Sequence, residues 1–174
     1  MISHKHKFIF VHMPRTGGSS IERVLNPNIQ LDNENDIRRK MGNTKPKDKH
    51  WTATAYQKNY PKNFTTYFKF SFIRNPWDRE VSRWKWRQTA KNLSTFEDHL
   101  RTITTDQTFK QVKNKKGIPM VDFVGRYENL QKDFDLICDK INIPKTILPP
   151  TNKTSTRHYT EYYNNQTRKM IEEI

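Results

Sequence analysis

The segment from Phe10 to Leu25, FVHMPRTGGSSIERVL, constrains the fold more than any other part of the sequence. It begins with an apolar run, which a proline and two adjacent glycines interrupt. A helical pattern follows. This order predicts a buried strand, a tight turn and a helix whose first backbone N–H groups face the turn. The chain has only five glycines, and two of them lie here beside an arginine and several hydroxyls. The segment therefore predicts an anion-binding site formed by Arg15, Thr16, Gly17, Gly18, Ser19 and Ser20.

The rest of the chain alternates between strand-like and helix-like patterns. Strands are predicted at Lys7–Met13, Tyr67–Ile73 and Val121–Arg126. Helices are predicted from Ser19 or Ser20 to Leu25, ending before Pro27, and at Asp36–Met41, Thr52–Lys58, Pro76–Arg87, Ser94–Ile103, Leu130–Ile141 and Thr160 to the end. Strands that alternate with helices predict a three-layer α/β fold with a central parallel sheet, in a single domain spanning residues 1–174.

A second motif lies at the end of the second predicted strand. In FSFIRNPWDREVSR, Arg74 leaves the strand, and Pro76 opens a helix that carries Ser82. Ligands of open α/β sheets bind at the carboxyl ends of the strands. Arg74 and Ser82 are therefore expected beside the first anion site, and together the two sites predict a ligand with two phosphate-like groups.

The charge of the chain also favours an anionic partner. It carries 32 Lys and Arg residues against 18 Asp and Glu residues, a net charge of +14. Such a surplus is typical of proteins that bind nucleic acid, phosphorylated cofactors, sulfated glycans or membrane surfaces. The signature G-x-x-x-x-G-K-[ST] of P-loop kinases is absent, because no lysine follows Gly17 and Gly18. A nucleotide kinase is therefore disfavoured.

Both motifs resemble those of the sulfotransferases that use 3′-phosphoadenosine 5′-phosphosulfate (PAPS). HMPRTGGSSI resembles their 5′-phosphosulfate loop, FSFIRNPWDREVS their 3′-phosphate motif, and FVGRYENLQKDF a following segment of carbohydrate-type members. The resemblance runs from Phe8 to Tyr163 and is greatest to heparan and chondroitin sulfotransferases and their small bacterial or viral relatives. It implies the P-loop NTPase-like sulfotransferase fold and the transfer of a sulfuryl group from PAPS to an acceptor hydroxyl on a glycan or other polyanion.

The resemblance also implies roles for individual residues. The 3′-phosphate would be held by Arg74 and Ser82, and Arg126 and Tyr127 would line the other side of the cofactor or, equally, only close a strand end. Lys153 and Ser155 match a late loop that covers the nucleotide in relatives. The 5′-phosphosulfate would be held by Arg15, Thr16, Gly17, Gly18, Ser19 and Ser20.

The expected catalytic residues are Arg15 and His50. Most relatives have lysine where Arg15 stands, and tyrosylprotein sulfotransferases resemble this chain in having arginine. Arginine stays charged, so it can stabilise the leaving phosphate oxygen but cannot give it a proton. His50, in KHWTATAYQKNY, matches a histidine of many relatives and suits proton abstraction from the acceptor at neutral pH. His12 and Asp78 are alternative bases, with structural roles as the competing interpretation.

A catalytically silent polyanion-binding module with a retained nucleotide cradle is the alternative function, because the chain is short and Arg15 replaces lysine. The sequence offers no clear metal-ligand cluster and no specific nucleic-acid motif. Cys138 is expected to be a buried apolar residue. The N-terminus does not resemble a signal peptide, and no apolar run reaches membrane-spanning length, which predicts a cytoplasmic protein.

Overall fold

A computed structural model describes residues 1–28, 50–91, 95–103, 109–150 and 157–173 of the chain. The strands are β1 (Ile2–Ser3), β2 (Phe8–Val11), β3 (Phe68–Ile73) and β4 (Phe123–Arg126). The helices are α1 (Gly18–Asn28), α2 (Ala53–Asn59), α3 (Pro61–Thr66), α4 (Pro76–Lys91), α5 (Phe96–Arg101), α6 (Leu130–Ile141) and α7 (Asn165–Glu172). Short 3-10 helices occupy Tyr127–Asn129 and Tyr159–Tyr162. None of the described helices combines the length and the apolar character needed to cross a membrane.

The described strands form one sheet in the order β1-β2-β3-β4. β2, β3 and β4 run parallel, with Val11 paired to Ser71 and Ser71 paired to Val124. The predicted α/β class and the central parallel sheet are therefore confirmed. β1 adds an antiparallel edge strand, with Ile2 opposite Ile9, so the complete sheet is mixed. The polar MISHKHK segment did not predict this strand.

Helices cover both faces of the sheet, which confirms the three-layer arrangement. Successive strand residues point to opposite faces. Phe10 and Phe72 therefore pack with α1 and α6, whereas Ile9 and Val11 pack with α2 and α3. Every residue of β2 is buried, and burial on both faces explains why this strand is a continuous apolar run without alternation.

A third apolar cluster joins α4 to α5 and to the C-terminal helix α7. Trp84 contacts Phe96 there, with ring centroids 5.4 Å apart, and Trp77 contacts Tyr163 at 4.8 Å. These two tryptophans therefore serve packing, whereas Trp86 is 51% exposed. The cluster anchors α4, the helix that follows the second motif.

The first helix differs from its prediction at both ends. α1 begins at Gly18 and ends at Asn28, so Ser19 and Ser20 lie in its first turn and not at its cap. Pro27 lies inside its last turn. A proline removes one intrahelical hydrogen bond, and near the end of a helix that loss interrupts little of the remaining ladder.

The later helices also differ in detail. α5 is capped by Thr95, whose Oγ1 accepts a hydrogen bond from the Asp98 N–H at 3.0 Å, one residue after the predicted Ser94, which lies outside the described residues. α4 extends past Arg87 to Lys91, and α3 was not predicted. The C-terminal stretch is split, because extended Asn164 caps a new helix. The helix predicted at Asp36–Met41 lies outside the described residues.

Cys138 is fully buried in the cluster between α6 and the sheet, as expected. Burial raises the pKa of its thiol to about 11, with further contributions from the nearby carboxylates of Asp135 and Asp139. The thiol is therefore protonated at neutral pH and behaves as a small apolar group.

We expect Ile137→Ala to lower the free energy of unfolding by about 2–5 kcal/mol, because it removes a fully buried side chain between α6 and the sheet. Leu136→Ala is the matched control, since Leu136 is 48% exposed on the same helix and its truncation costs about 0.5 kcal/mol or less. Urea denaturation followed by circular dichroism measures both values. Equal losses would contradict the orientation of α6.

Candidate functional site

One pocket brings the two sequence motifs together at the carboxyl ends of β2 and β3. Because these strands are parallel neighbours, the turn after each strand leaves the sheet at the same edge. We call this site the anion pocket, and its described lining residues are His12, Arg15, Gly17, Gly18, Ser19, Arg74, Ser82 and Tyr127. All of them except His12 belong to the set predicted to bind the cofactor.

The turn after β2 has an uncommon backbone conformation. Arg15 and Gly17 have φ angles of +68° and +81°. Glycine adopts this left-handed region without strain, whereas a residue with a side chain pays about 1–2 kcal/mol. The Thr16 Oγ1 donates to the Met13 carbonyl at 2.9 Å and is buried. The Thr16 hydroxyl, which the sequence assigned to the ligand, therefore closes the turn.

Gly18 starts α1 at a point where no side chain fits. A Cβ atom there would lie 2.3 Å from Cδ2 and from Nε2 of His12. The His12 ring is held in place, because it is only 3% exposed and its Nδ1 donates to Glu22 Oε1 at 2.6 Å. Gly18 is therefore required by its packing against His12.

Two arginines meet across the anion pocket. The Arg15 guanidinium donates to Ser82 Oγ through Nε at 3.1 Å and through Nη2 at 2.9 Å. Arg74 Nη1 donates to the Arg15 carbonyl at 3.2 Å, and its Nε contacts Asp78 Oδ2 at 2.7 Å. The Arg74 guanidinium also lies 4.1 Å from the centre of the Tyr127 ring. The ion pair with Asp78 supports a structural role for that carboxylate within the RNPWDR turn.

The pocket is strongly positive. Burial lowers the pKa of Arg15 below its ordinary value, and the nearby charge of Arg74 lowers it further. The ordinary pKa of arginine is so high that the guanidinium stays protonated at neutral pH even after this lowering. The repulsion between the two cations is relieved when an anion binds between them, which favours ligands of negative charge.

His50 lies beside the anion pocket and is exposed. Its Nδ1 donates to the His12 carbonyl at 3.1 Å, and the two imidazole rings are 4.6 Å apart at an angle of 80°. A carbonyl only accepts hydrogen bonds, so the neutral His50 ring carries its proton on Nδ1. Its Nε2 is then the basic nitrogen.

The remaining predicted residues lie elsewhere. Ser20 is buried in the first turn of α1, and its N–H donates to the Gly17 carbonyl at 3.0 Å. Arg126 is exposed at the end of β4 and lies outside the described lining of the anion pocket. Lys153 and Ser155 lie outside the described residues.

Sequence reasoning missed two residues of this region. Glu22 follows Gly18 by one helical turn, and this i, i+4 spacing could have indicated that its side chain returns toward the turn. Gln111 donates through Nε2 to the His50 carbonyl at 3.3 Å. No local signal predicts that contact, because it joins positions 61 residues apart in the chain.

The parallel strands β2 and β3 bring a helix N-terminus and two arginines to one edge of the sheet. Many α/β proteins bind anionic ligands with such an arrangement. The chain belongs to the sulfotransferase family, whose model matches residues 1–174.

The relatives agree with this membership. Carbohydrate sulfotransferase 14 of Mus musculus is 22% identical over 188 residues, covering 88% of this chain and 49% of the relative. An uncharacterized protein of Archaeoglobus fulgidus is 31% identical over 106 residues, covering 56% of this chain and 87% of the relative. This chain thus spans about half the length of the carbohydrate sulfotransferase that it matches.

A solved structure shows the same fold. The mouse sulfotransferase SULT7A1, complexed with PAP, superposes with a TM-score of 0.60 at 13% sequence identity. The match covers 99% of this chain and 84% of that chain. The predicted sulfotransferase fold is therefore confirmed.

We expect Gly18→Ala to lower the free energy of unfolding by about 1–3 kcal/mol, because its Cβ collides with the buried His12 ring. In a His12→Ala background the collision is gone. There the same change should be neutral or stabilising by up to about 1 kcal/mol, since alanine favours a helix over glycine. A double-mutant cycle in urea measures the coupling, and additive effects would contradict this packing.

Proposed function

We propose that this chain is a PAPS-dependent sulfotransferase that sulfates a hydroxyl group of a carbohydrate. The observation that carries the proposal is the anion pocket, in which Arg15 and the N-terminus of α1 lie beside Arg74 and Ser82. Two arginines and a helix N-terminus at one pocket favour an anionic ligand. Further support comes from relatives that are a carbohydrate sulfotransferase and a sulfotransferase complexed with PAP.

The chemistry of the anion pocket fits PAPS. This cofactor supplies a sulfuryl group on its 5′-phosphate and carries a separate 3′-phosphate. The glycine turn, Ser19 and the positive end of α1 suit the 5′ end. Arg74 and Ser82 suit the 3′-phosphate, and the contact with Tyr127 fixes the plane of the Arg74 guanidinium. Arg126, Lys153 and Ser155 stay predictions.

Arg15 acts as a fixed positive charge at the reacting end of the pocket. Transfer of a sulfuryl group places negative charge on the leaving phosphate oxygen, and a preorganised cation stabilises that charge. A lysine in this position can also give up a proton, whereas arginine cannot. Arg15 therefore acts by electrostatic stabilisation and does not protonate the phosphate oxygen that leaves.

His50 removes the proton from the acceptor hydroxyl. Its hydrogen bond to the His12 carbonyl leaves Nε2 as the basic nitrogen. His12 has the same tautomer through Glu22, but its Nε2 edge lies against the Cα of Gly18 and its ring is buried. Exposure distinguishes the two histidines, because His50 is exposed whereas His12, although it lines the anion pocket, is 3% exposed. This difference favours His50 as the base.

We expect the protein to bind 3′-phosphoadenosine 5′-phosphate (PAP) at least about tenfold more tightly than 5′-ADP, because only PAP offers a phosphate to Arg74 and Ser82. Arg74→Ala should bring the two affinities together. Isothermal titration calorimetry measures both ligands. Arg23→Ala is the matched control, since Arg23 is an exposed arginine of α1 outside the described lining of the anion pocket.

Equal affinity of the wild-type protein for the two nucleotides would contradict the assignment of the cofactor. Absence of nucleotide binding, together with tight binding of polyanions, would instead favour the catalytically silent polyanion-binding module. Thermal melting of each variant separates a local loss of binding from unfolding.

We expect His50→Ala to reduce transfer from radiolabelled PAPS to a polysaccharide acceptor by about 100-fold or more, because the acceptor loses its general base. The affinity for PAP should stay within about twofold, since His50 does not line the anion pocket. His158→Ala, an exposed histidine near α7, serves as the control. Retained turnover in His50→Ala would exclude His50 as the base.

A further inference from the structure

His12 and Glu22 form a shielded pair beside the anion pocket, and the proposed function gives this pair no chemical role. Nδ1 of His12 donates to Glu22 Oε1 at 2.6 Å, and the two side chains are 4% and 19% exposed. A short hydrogen bond to a carboxylate in so shielded a place is stronger than an exposed ion pair. The carboxylate thus fixes one nitrogen of the ring, which leaves Nε2 as the nitrogen that can act in chemistry.

The His12 ring is held with its Nε2 end at the start of α1. The ring of Phe10 stacks on it at 5.5 Å and an angle of 15°. On the other side, Cδ2 and Nε2 of His12 are the atoms nearest to the position of a Cβ on Gly18. Gly18 is the first residue of α1, and both residues line the anion pocket. Nε2 therefore lies near the end of the pocket that suits a phosphosulfate group, a placement that rests on the proposed function.

Opposing charges act on the His12 ring. The described titratable or charged groups around it are Glu22 on α1, His50 before α2, and Arg15, Arg74 and Tyr127 in the anion pocket. Glu22 favours a protonated imidazolium, whereas the two arginines and the positive end of α1 disfavour it. A bound anion offsets the arginines and the helix end. Neutral Nε2 offers only a lone pair to such an anion, while protonated Nε2 donates a hydrogen bond. Anion binding should therefore bring a second proton to the ring.

The arginine at position 15 leaves one task of the reaction without a residue. A lysine there could give a proton to the phosphate oxygen that leaves, but a guanidinium cannot. An imidazolium can, because imidazole changes its charge near neutral pH. His12 lines the same pocket as Arg15 and carries a carboxylate partner that favours the protonated form.

We propose that His12 binds the phosphosulfate end of the cofactor as an imidazolium and acts as the general acid, with Glu22 as its positioning residue. His12 gives its Nε2 proton to the phosphate oxygen as the bond from that oxygen to sulfur breaks, and the oxygen keeps the electron pair of the bond. The acceptor oxygen forms the new bond to sulfur, and its own proton passes to His50. One imidazole thus loses a proton while the other gains one, and exchange with solvent restores both.

The first test counts the protons that are taken up with an anionic ligand. Adenosine 5′-phosphosulfate is the probe, because it lacks the 3′-phosphate and has no group of its own that titrates near neutral pH. Calorimetric titrations in buffers of different ionisation enthalpy should show uptake of about half a proton or more at some pH between about 6.5 and 9. His12→Gln should abolish the uptake. His50→Ala should retain it, which separates the two neighbouring imidazoles.

Glu22→Gln tests the positioning residue. The amide oxygen still accepts a hydrogen bond from Nδ1, but the negative charge that favours the imidazolium is gone. The uptake should therefore move to lower pH by about one unit. Glu173→Gln is the matched control, since Glu173 is exposed at the end of α7 and lies outside the described lining of the anion pocket. Its uptake should equal that of the wild-type protein.

The second test follows release of radiolabelled sulfate from PAPS to water, which requires no choice of acceptor. The wild-type rate should decline at alkaline pH, because the imidazolium loses the proton that it has to donate. Glu22→Gln should move this decline to lower pH by about one unit, and His12→Gln should slow the release by about 100-fold. A purely structural role of the pair would change the rate or the affinity without moving the pH of the decline.

The proposal is overturned if His12→Gln keeps the proton uptake, if His50→Ala loses it, or if Glu22→Gln and Glu173→Gln behave alike. It is also overturned if the uptake depends on His12 while sulfate release does not, or if the wild-type protein releases no sulfate. Thermal melting of each variant identifies any that fails to fold. If His12→Gln does so, the shift in Glu22→Gln decides the test.

This proposal and the proposed function fail in distinguishable ways. If PAP shows no advantage over 5′-ADP while proton uptake with the phosphosulfate still depends on His12, the assignment of the 3′-phosphate fails and the imidazolium stands. If PAP binds as expected but the uptake is absent or independent of His12, the cofactor assignment stands and His12 is not the acid.

Discussion

Parallel pairing of β2 with β3 sets Val11 opposite Ser71, and this register determines where both anion-binding turns leave the sheet. The pairing is held by burial on both faces of β2, so a shift by one residue would turn its apolar side chains to the wrong layer. The Ser71 Oγ adds a hydrogen bond to the Val11 carbonyl at 2.7 Å. With the register fixed, the turn at Arg15 and the start of α4 have to meet. The site is therefore a consequence of the sheet.

Most of the anion pocket at this edge of the sheet could be predicted, because the sequence patterns that indicate it are local. A continuous apolar run, paired glycines and a proline at the start of a helix each act within a few residues. One contact that was missed joins distant parts of the chain, since Gln111 reaches His50 across 61 positions. β1 was missed although it pairs with the nearby β2, because the polar MISHKHK segment has no strand pattern. A pattern of residue types also does not show that the Thr16 hydroxyl donates to the Met13 carbonyl, and the assignment of Thr16 to the ligand stays a prediction.

Helix α4 supplies Ser82 to the anion pocket and carries two further arginines beside it. Its Ser82 faces Arg15, and Arg79 and Arg83 lie on the same side. Clustered arginines repel one another, and Glu80 offsets part of this cost from within the helix. Burial raises the pKa of Glu80, but the hydrogen bond from His99 and the charges of Arg83 and Arg79 outweigh burial, so the pKa lies below its ordinary value. Glu80 is thus ionised at neutral pH, and its negative charge stabilises the positive charges of Arg83 and Arg79.

A chain of hydrogen bonds runs from α1 at the anion pocket to Gln111. Glu22 on α1 orients the His12 ring, the His12 carbonyl accepts from His50, and the His50 carbonyl accepts from Gln111. Gly18 makes this chain possible, because any larger residue would displace His12. The absence of a side chain at Gly18 therefore also supports the tautomer and position of His50. In this way one turn of the sequence positions both Arg15 and His50, although His50 lies far from it in the chain.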